Sequence, residues 1–278
     1  MTHPMSLRPA RIAFEHVSVS FPAQGGPQSG LMRVVDDVSF LIHDREFVSV
    51  IGPSGCGKTT MMNIVAGFMQ PSAGKVTLDG KPIAGPGPDR GVIFQEYGVF
   101  PWLTVKDNIA FGLKLRANKT DAQTREQICQ RYMGLMGLSE FADAWPRMLS
   151  GGMRQRLALA RAYAVKPEFL LMDEPFGALD AQTRSAMQDL LLEVLAAEGK
   201  TVMLITHSVE EAIYLSNRII VMTARPTRIR EIVEVPFAYP RSDALHETRE
   251  FGELRAHVRN LVMHEYAEQA RQRQTHVA

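Results

Sequence analysis

Residues 52–60 read GPSGCGKTT, that is Gly52, Pro53, Ser54, Gly55, Cys56, Gly57, Lys58, Thr59 and Thr60. Three glycines let a chain turn tightly enough for several backbone N–H groups to converge on one anion. A helix opening at Lys58 adds roughly half a positive charge at the same place. A lysine in that position suits the β- and γ-phosphates of a nucleoside triphosphate, and the Thr59 hydroxyl suits Mg²⁺. The pattern G-x-x-x-x-G-K-[ST] carries meaning between a strand and a helix. Here VSVI at 48–51 precedes it with strand character, and MMNIV at 61–65 continues a helix. A triphosphate site is the expectation. Cys56 lies inside the loop, so its alkylation is expected to block nucleotide binding, and bound Mg-ATP is expected to protect it.

Hydrolysis needs a second, acidic element. The apolar run FLLM at 169–172 ends in Asp173 and Glu174. Asp173 is placed to hold Mg²⁺, directly or through water, and Glu174 to take the proton of an attacking water. Lys58 and Asp173 stand 115 positions apart, whereas one βαβ unit takes only about 30 residues. A helical insertion between the two core strands explains that length. Within it, LSGGM at 149–153 precedes RQRLALARA. Ser150 is the expected cap of that helix, and Gly151 and Gly152 leave its first turn without side chains, as an anion-binding helix end has. The chain thus carries two phosphate-binding helix ends and one catalytic set. In one economical arrangement each site of a dimer borrows the second helix end from its partner; an ordinary capped helix is the other reading.

Several elements must position these residues. Arg11 to Phe21 alternates through Ile12, Phe14, Val17, Val19 and Phe21, as a half-buried strand does, and 34–42 reads as a second strand. Asp79-Gly80 is a favoured hairpin turn pair. GVIFQ at 91–95 is a further apolar strand ended by Gln95, and Thr104 is a plausible helix cap. From about 97 to 163 the chain reads as mostly helical. A long amphipathic helix is expected over 181–197, a strand over 201–206 ending at His207, a short helix over 209–215, and two strands at 218–222 and 229–235. From Ser242 onward the chain is helical and charge-mixed, with six basic and six acidic residues over 241–278; a solvated helical appendage is the simplest expectation.

Composition excludes several classes. Against 30 acidic residues stand 31 Lys and Arg, a formal net charge of +1, which gives no global pull towards nucleic acid. No run of eighteen apolar residues occurs, and the first twenty residues lack a secretory apolar core. Cys56 and Cys129 match no metal or redox spacing. A soluble, globular, cytosolic protein without disulfides is expected.

Taken together, these motifs resemble the ATP-binding subunit of ATP-binding-cassette (ABC) transporters, from about Arg11 to Val235. The loop at 52–60, Gln95, LSGGM at 149–153, LLMDEP at 170–175, GALD at 177–180 and His207 follow the family's order and spacing. The resemblance implies an α/β fold: a P-loop NTPase core with an antiparallel β subdomain and an inserted α-helical subdomain. It implies an ABC domain over 1–240, with the helical insertion at about 97–163, and a charged helical extension over 241–278. It further implies two copies joined head to tail, each ATP held between one phosphate loop and the partner's signature helix at Ser150-Gly151-Gly152. Glu174 is then the catalytic base, Gln95 senses Mg²⁺ and water, and His207 contacts the γ-phosphate. Asp180 couples the two sites, and Phe21 stacks on adenine unless it belongs to the apolar face of its strand. Met153 stands where the family most often has Gln, and Gly177 replaces a frequent Ser; neither removes a phosphate-binding N–H.

The stretch 88–113 and ARPTRI at 224–229 look like the nitrate/sulfonate/taurine branch of bacterial importers. That branch implies ATP and Mg²⁺ as ligands, a separate integral membrane permease, an extracytoplasmic solute-binding protein as an indirect partner, and a peripheral place on the cytoplasmic face of the inner membrane. Phe100 and Trp102 either form part of the permease groove or anchor the helical subdomain. Two rivals stand beside this reading. One is a soluble ABC ATPase of translation or DNA repair, although such chains usually carry two cassettes or a long coiled-coil insertion. The other is a phosphate-loop kinase, which would leave the Ser-Gly-Gly helix and the Gln95/His207 pair unexplained.

Overall fold

The computed structural model describes residues 8–23, 30–95, 98–177 and 179–275. The chain forms two compact units, one from residues 1–86 and 199–278, the other from 87–198.

The first unit holds two sheets. In the antiparallel one, β1 (Ala10–Pro22) lies between β2 (Leu31–His43) and β4 (Ala73–Leu78), with the short β5 (Lys81–Pro82) outermost. Pairing with β2 shifts register between Phe14 and Val17, around His16 at φ 50°. Such a bulge switches which side chains face inward, so Ile12 and Phe14 are buried before it, and Val17 and Val19 after it. Phe21 shares the parity of Val17 and Val19 but sits at the strand's end, 36% exposed. Leu78 pairs with Lys81, and Asp79 and Gly80 both have positive φ, as a two-residue type I′ hairpin requires.

The second sheet runs β10 (Ile229–Glu234), β9 (Arg218–Met222), β3 (Phe47–Ile51), β8 (Thr201–Ile205) within this unit. β9 and β8 flank β3 in parallel, while β10 is antiparallel. Every residue of β3 and β8 is buried, which is why both strands read as continuous apolar runs. α1 (Lys58–Ala66) follows β3, and α6 (Val209–Leu215) packs on it.

The C-terminal segment forms α7 (Arg249–Thr275). It is helical as expected but not solvated all round. Phe251, Val258 and Val262 lie buried in one cluster with Ile213, Ile219, Val221 and Val233. The high charge of the segment hid an apolar stripe that only the packing partners reveal.

In the second unit β6 (Arg90–Ile93) pairs in parallel with β7 (Phe169–Asp173). Its helices are α2 (Val105–Lys114), α3 (Ala122–Leu135), α4 (Gly151–Ala164) and α5 (Ala181–Glu198). Beside the helices of the inserted stretch, this compact unit takes in β6, β7 and α5. Buried Asn108 on α2 fixes the loop before that helix: it accepts from Phe100 N–H at 2.8 Å and donates to the carbonyls of Phe100, Leu103 and Thr104 at 2.9–3.1 Å.

Candidate functional site

In the first unit, 52–60 connects the end of β3 to α1. A Cβ on Gly52 would come within 2.8 Å of the Met222 carbonyl oxygen, and one on Gly57, at φ 124°, within 3.1 Å of Val34. Glycine is therefore demanded by close approach at one and by backbone angle as well at the other. α1 opens at Gly57 with no side-chain cap and no acidic residue in its first turn. Its orphan N–H groups and the positive end of its dipole suit an anion. Lys58 is only 7% exposed, and its Nζ folds back to the carbonyls of Gly52 and Pro53 at 2.9 and 3.0 Å. Thr59 is exposed beside it, and Ser54 and Gly55 are exposed at the loop's crest. Because Val50 pairs with Ile205 and accepts the Thr206 N–H at 3.4 Å, β8 ends level with β3. That register sets the exposed His207 beside the start of the phosphate loop.

Cys56 is fully buried. Its Sγ lies 3.4 Å from the place a Gly52 Cβ would take, so the thiol forms part of the loop's floor and does not point into the pocket. Burial pushes its pKa up, against the opposing pull of nearby Lys58. The expectation of a nucleotide-protected reactive thiol is corrected accordingly: side-chain direction inside a turn depends on what lies beneath it. In the sequence Arg225 and Thr227 stand out only as part of ARPTRI at 224–229. Here the Arg225 guanidinium donates to Gly55 O, and the Thr227 hydroxyl to Cys56 O.

In the second unit, Asp173 closes β7 and Glu174 follows at φ 45°. A non-glycine residue there is uncommon and is held by its surroundings, as reacting side chains often are. Gln95, just past β6, brings its Nε2 to 3.5 Å from the Glu174 Oε2, the outer limit of a hydrogen bond. Ser150 caps α4, accepting the Met153 N–H at 3.3 Å, and is exposed. Gly152 is buried, and a Cβ there would lie 2.6 Å from Thr183 Cγ2. Helix packing therefore demands this glycine in addition to any bare N–H it supplies. Asp180 accepts the Thr183 N–H and hydroxyl at 2.9 and 2.8 Å, which hold its carboxyl below the usual range. Thr183 thus joins Asp180 to the start of α4.

Phe100 lies half-buried beneath the Arg161 guanidinium, 4.6 Å from its ring centre, with the Phe111 and Trp102 rings at 4.5 and 5.4 Å. Trp102 is 66% exposed. Among the described residues no helix is long and apolar enough to cross a membrane.

Residues 35–177 match the family described as ABC transporter. Over 236 residues the chain is 54% identical to an ATP-binding protein of Brucella abortus, covering 85% of this chain and 90% of that one. The chain belongs to the ABC transporter family. It is similar to the nitrate import ATP-binding protein NrtD of Synechococcus elongatus, at 41% identity over 91% of this chain and 92% of that one. It is similar also to the taurine import ATP-binding protein TauB of Pseudomonas aeruginosa, at 45% identity over 88% and 93%. A dimeric ATP-binding cassette solved in a post-hydrolysis state with ADP and Pi matches at TM-score 0.70 and 29% identity, covering 82% of this chain and all of that one. As an ABC cassette the chain binds ATP and hydrolyses it to ADP and phosphate, on the fold of a P-loop NTPase. ABC ATPases of import systems dimerise and work with membrane permeases.

The donors at hand fit both ligands. The uncapped helix end and the buried Lys58 amine suit a polyphosphate. The Thr59 hydroxyl in one unit, and the Gln95 amide and Asp173 carboxylate in the other, are each oxygen donors of the kind Mg²⁺ takes.

Proposed function

We propose that this chain is the ATP-hydrolysing subunit of an importer for a small solute such as nitrate, taurine or another sulfonate. It would work as two copies beside a separate permease at the cytoplasmic face of the membrane, with an extracytoplasmic solute-binding protein as an indirect partner. Likeness to nitrate and taurine import proteins over about nine-tenths of the chain carries the reading. The exposed Trp102, beside the Phe100 ring in the loop that Asn108 holds, supports it as a place for a permease segment.

Each residue then has a task. The N–H groups of Gly55 and of 57–60 and the Lys58 amine bind the β- and γ-phosphates and offset their charge. Thr59, Asp173 and Gln95 would hold Mg²⁺, which would supply positive charge against that developing on the phosphates. Glu174 accepts the proton of the attacking water as phosphate leaves ADP, and Gln95 orients that water. His207 contacts the γ-phosphate. Ser150, Gly151 and Gly152 present their helix end to the nucleotide held by the other copy, and Asp180 links the two sites. Phe21, exposed at the end of β1, offers its ring to the adenine.

The test has two arms. Glu174→Gln is expected to bind ATP as wild type does and to lose about 10²- to 10⁴-fold in turnover, the range for a lost general base; near-normal turnover removes Glu174 from that role. In proteoliposomes with the permease encoded beside it, solute should stimulate ATP hydrolysis. Co-purification with ribosomes or DNA in place of a membrane protein would overturn the import reading.

A further inference from the structure

Three successive carbonyls of the phosphate loop are held by side chains from outside it. Ser54 O accepts from the Gln269 Nε2 at 3.1 Å, Gly55 O from the Arg225 Nε, and Cys56 O from the Thr227 hydroxyl. Arg225 and Thr227 lie in the turn between β9 and β10, whereas Gln269 lies near the end of α7. The two sources are themselves tied together. Glu265, one turn before Gln269 and only 4% exposed, accepts the Ala224 N–H at 3.1 Å, with Arg230 at 3.7 Å and His264 at 3.5 Å from its carboxylate. The apolar stripe of α7 fixes the helix against the sheet that bears that turn.

The consequence follows from peptide geometry. A trans peptide is planar, and its C=O and N–H point in opposite directions. Drawing the carbonyls of Ser54, Gly55 and Cys56 outward turns the N–H groups of Gly55, Cys56 and Gly57 the other way. The Cys56 N–H closes the turn onto Pro53 O at 3.2 Å. By that geometry those of Gly55 and Gly57 point away from Gln269 and Thr227, as contact with an anion on the other side requires. A loop containing three glycines has many alternative conformations, and each carbonyl held reduces what must be ordered when the anion arrives.

We propose that Gln269 on the C-terminal helix, acting with Arg225 and Thr227, is a positioning residue for nucleotide binding: it holds the phosphate loop from behind in its anion-accepting form. Through Gln269 and Glu265 the C-terminal helix becomes part of the ATP site without touching ATP. The proposal rests on the reading that 52–60 holds the triphosphate. It assigns the helix an effect on affinity and none on the chemical step, since Gln269 meets only a backbone carbonyl.

The experiment compares Gln269→Ala, Gln269→Glu and Gln269→Lys with wild type in the full-length protein, reading KM for ATP, kcat, Mg-ATP affinity and Tm. Loss of one hydrogen bond is expected to raise KM by about two- to tenfold in Gln269→Ala. Gln269→Glu should raise it at least as much, because two acceptors then face each other. Gln269→Lys restores a donor and should recover most of the affinity. kcat and Tm should stay near wild type in all three. Unchanged KM in both Gln269→Ala and Gln269→Glu overturns the proposal. So does a joint fall of kcat, affinity and Tm that Gln269→Lys fails to rescue, since that marks a merely structural contact. Lys58→Ala separates the underlying reading: if it binds Mg-ATP like wild type, 52–60 is not the triphosphate site and the proposal falls with it. If Lys58→Ala loses binding while the Gln269 variants keep it, the proposal alone fails.

Discussion

Cys56 illustrates how little a residue's place in a motif says about its reactivity. It occupies the middle of the phosphate loop, yet it is fully buried and its thiol is pushed above the ordinary cysteine range by that burial. The thiolate is the nucleophile, and here both access and ionisation are reduced. Iodoacetamide at pH 7.5 is expected to leave Cys56 unmodified for hours in the folded protein, equally with and without Mg-ATP, and to label it once denaturant is added. Peptide mass spectrometry reads the result; fast labelling that nucleotide suppresses would place the thiol in the pocket after all. Glu174 and Gly152 show the same point from the other side. The motif marks Glu174, but its left-handed backbone at φ 45° comes from the tertiary setting. Gly152 reads as a bare N–H donor, and the structure adds a packing reason through Thr183.

Among the elements, α7 changes most between sequence and structure. Its six acidic and six basic neighbours over 241–278 suggest a solvated helix, and its buried residues Phe251, Val258 and Val262 are few. They are seven and four apart, one stripe on a helical face, and they meet β9, β10 and α6 residues already in the core. Phe251→Ala is expected to destabilise the protein by about 3–5 kcal/mol, the usual cost of emptying a buried aromatic site. Denaturant melts monitored by circular dichroism would show it; a shift below about 1 kcal/mol would mean that α7 is only loosely docked. The hairpin at Asp79-Gly80 is the opposite case. Its turn pair demands two positive φ angles and nothing from the rest of the chain, so it was legible at once. The β1 strand lies between these extremes: its apolar residues were all visible, but the bulge at His16 and the exposure of Phe21 depend on what β2 and the strand end pack against.

At the scale of the molecule, the residues proposed for ATP hydrolysis are divided between the two units. The loop at 52–60 and His207 belong to one, and Gln95, Asp173, Glu174 and the helix end at Ser150 to the other. The exposed Ser150 cap suits a second copy, and a related cassette is itself dimeric. Glu174→Gln with Mg-ATP is therefore expected to elute as a dimer in size-exclusion chromatography, and to return to monomer with EDTA. Ser150→Phe, which fills the helix end, should prevent the dimer while leaving Mg-ATP affinity of the single copy within a few fold. A monomer under all these conditions at tens of micromolar would refute the head-to-tail reading.

What the sequence determined alone were the features whose physics is local. A phosphate-loop pattern needs glycines, a lysine and a following helix within nine residues; a buried parallel strand needs a continuous apolar run. Those requirements are met by neighbours in the chain, so the strand–loop–helix at 52–60, the strand end at Asp173 and the capped SGG helix start could be read directly. The tertiary structure decided the rest: that Cys56 faces the floor, that Gly152 is pressed against Thr183, and that α7 lies on the core. Above all it brought Gln269 to Ser54 across 215 positions. A side-chain amide meeting a backbone carbonyl leaves no periodicity and no spacing, because one such bond constrains neither residue's neighbours. Only the packing of α7 on the sheet makes the two adjacent.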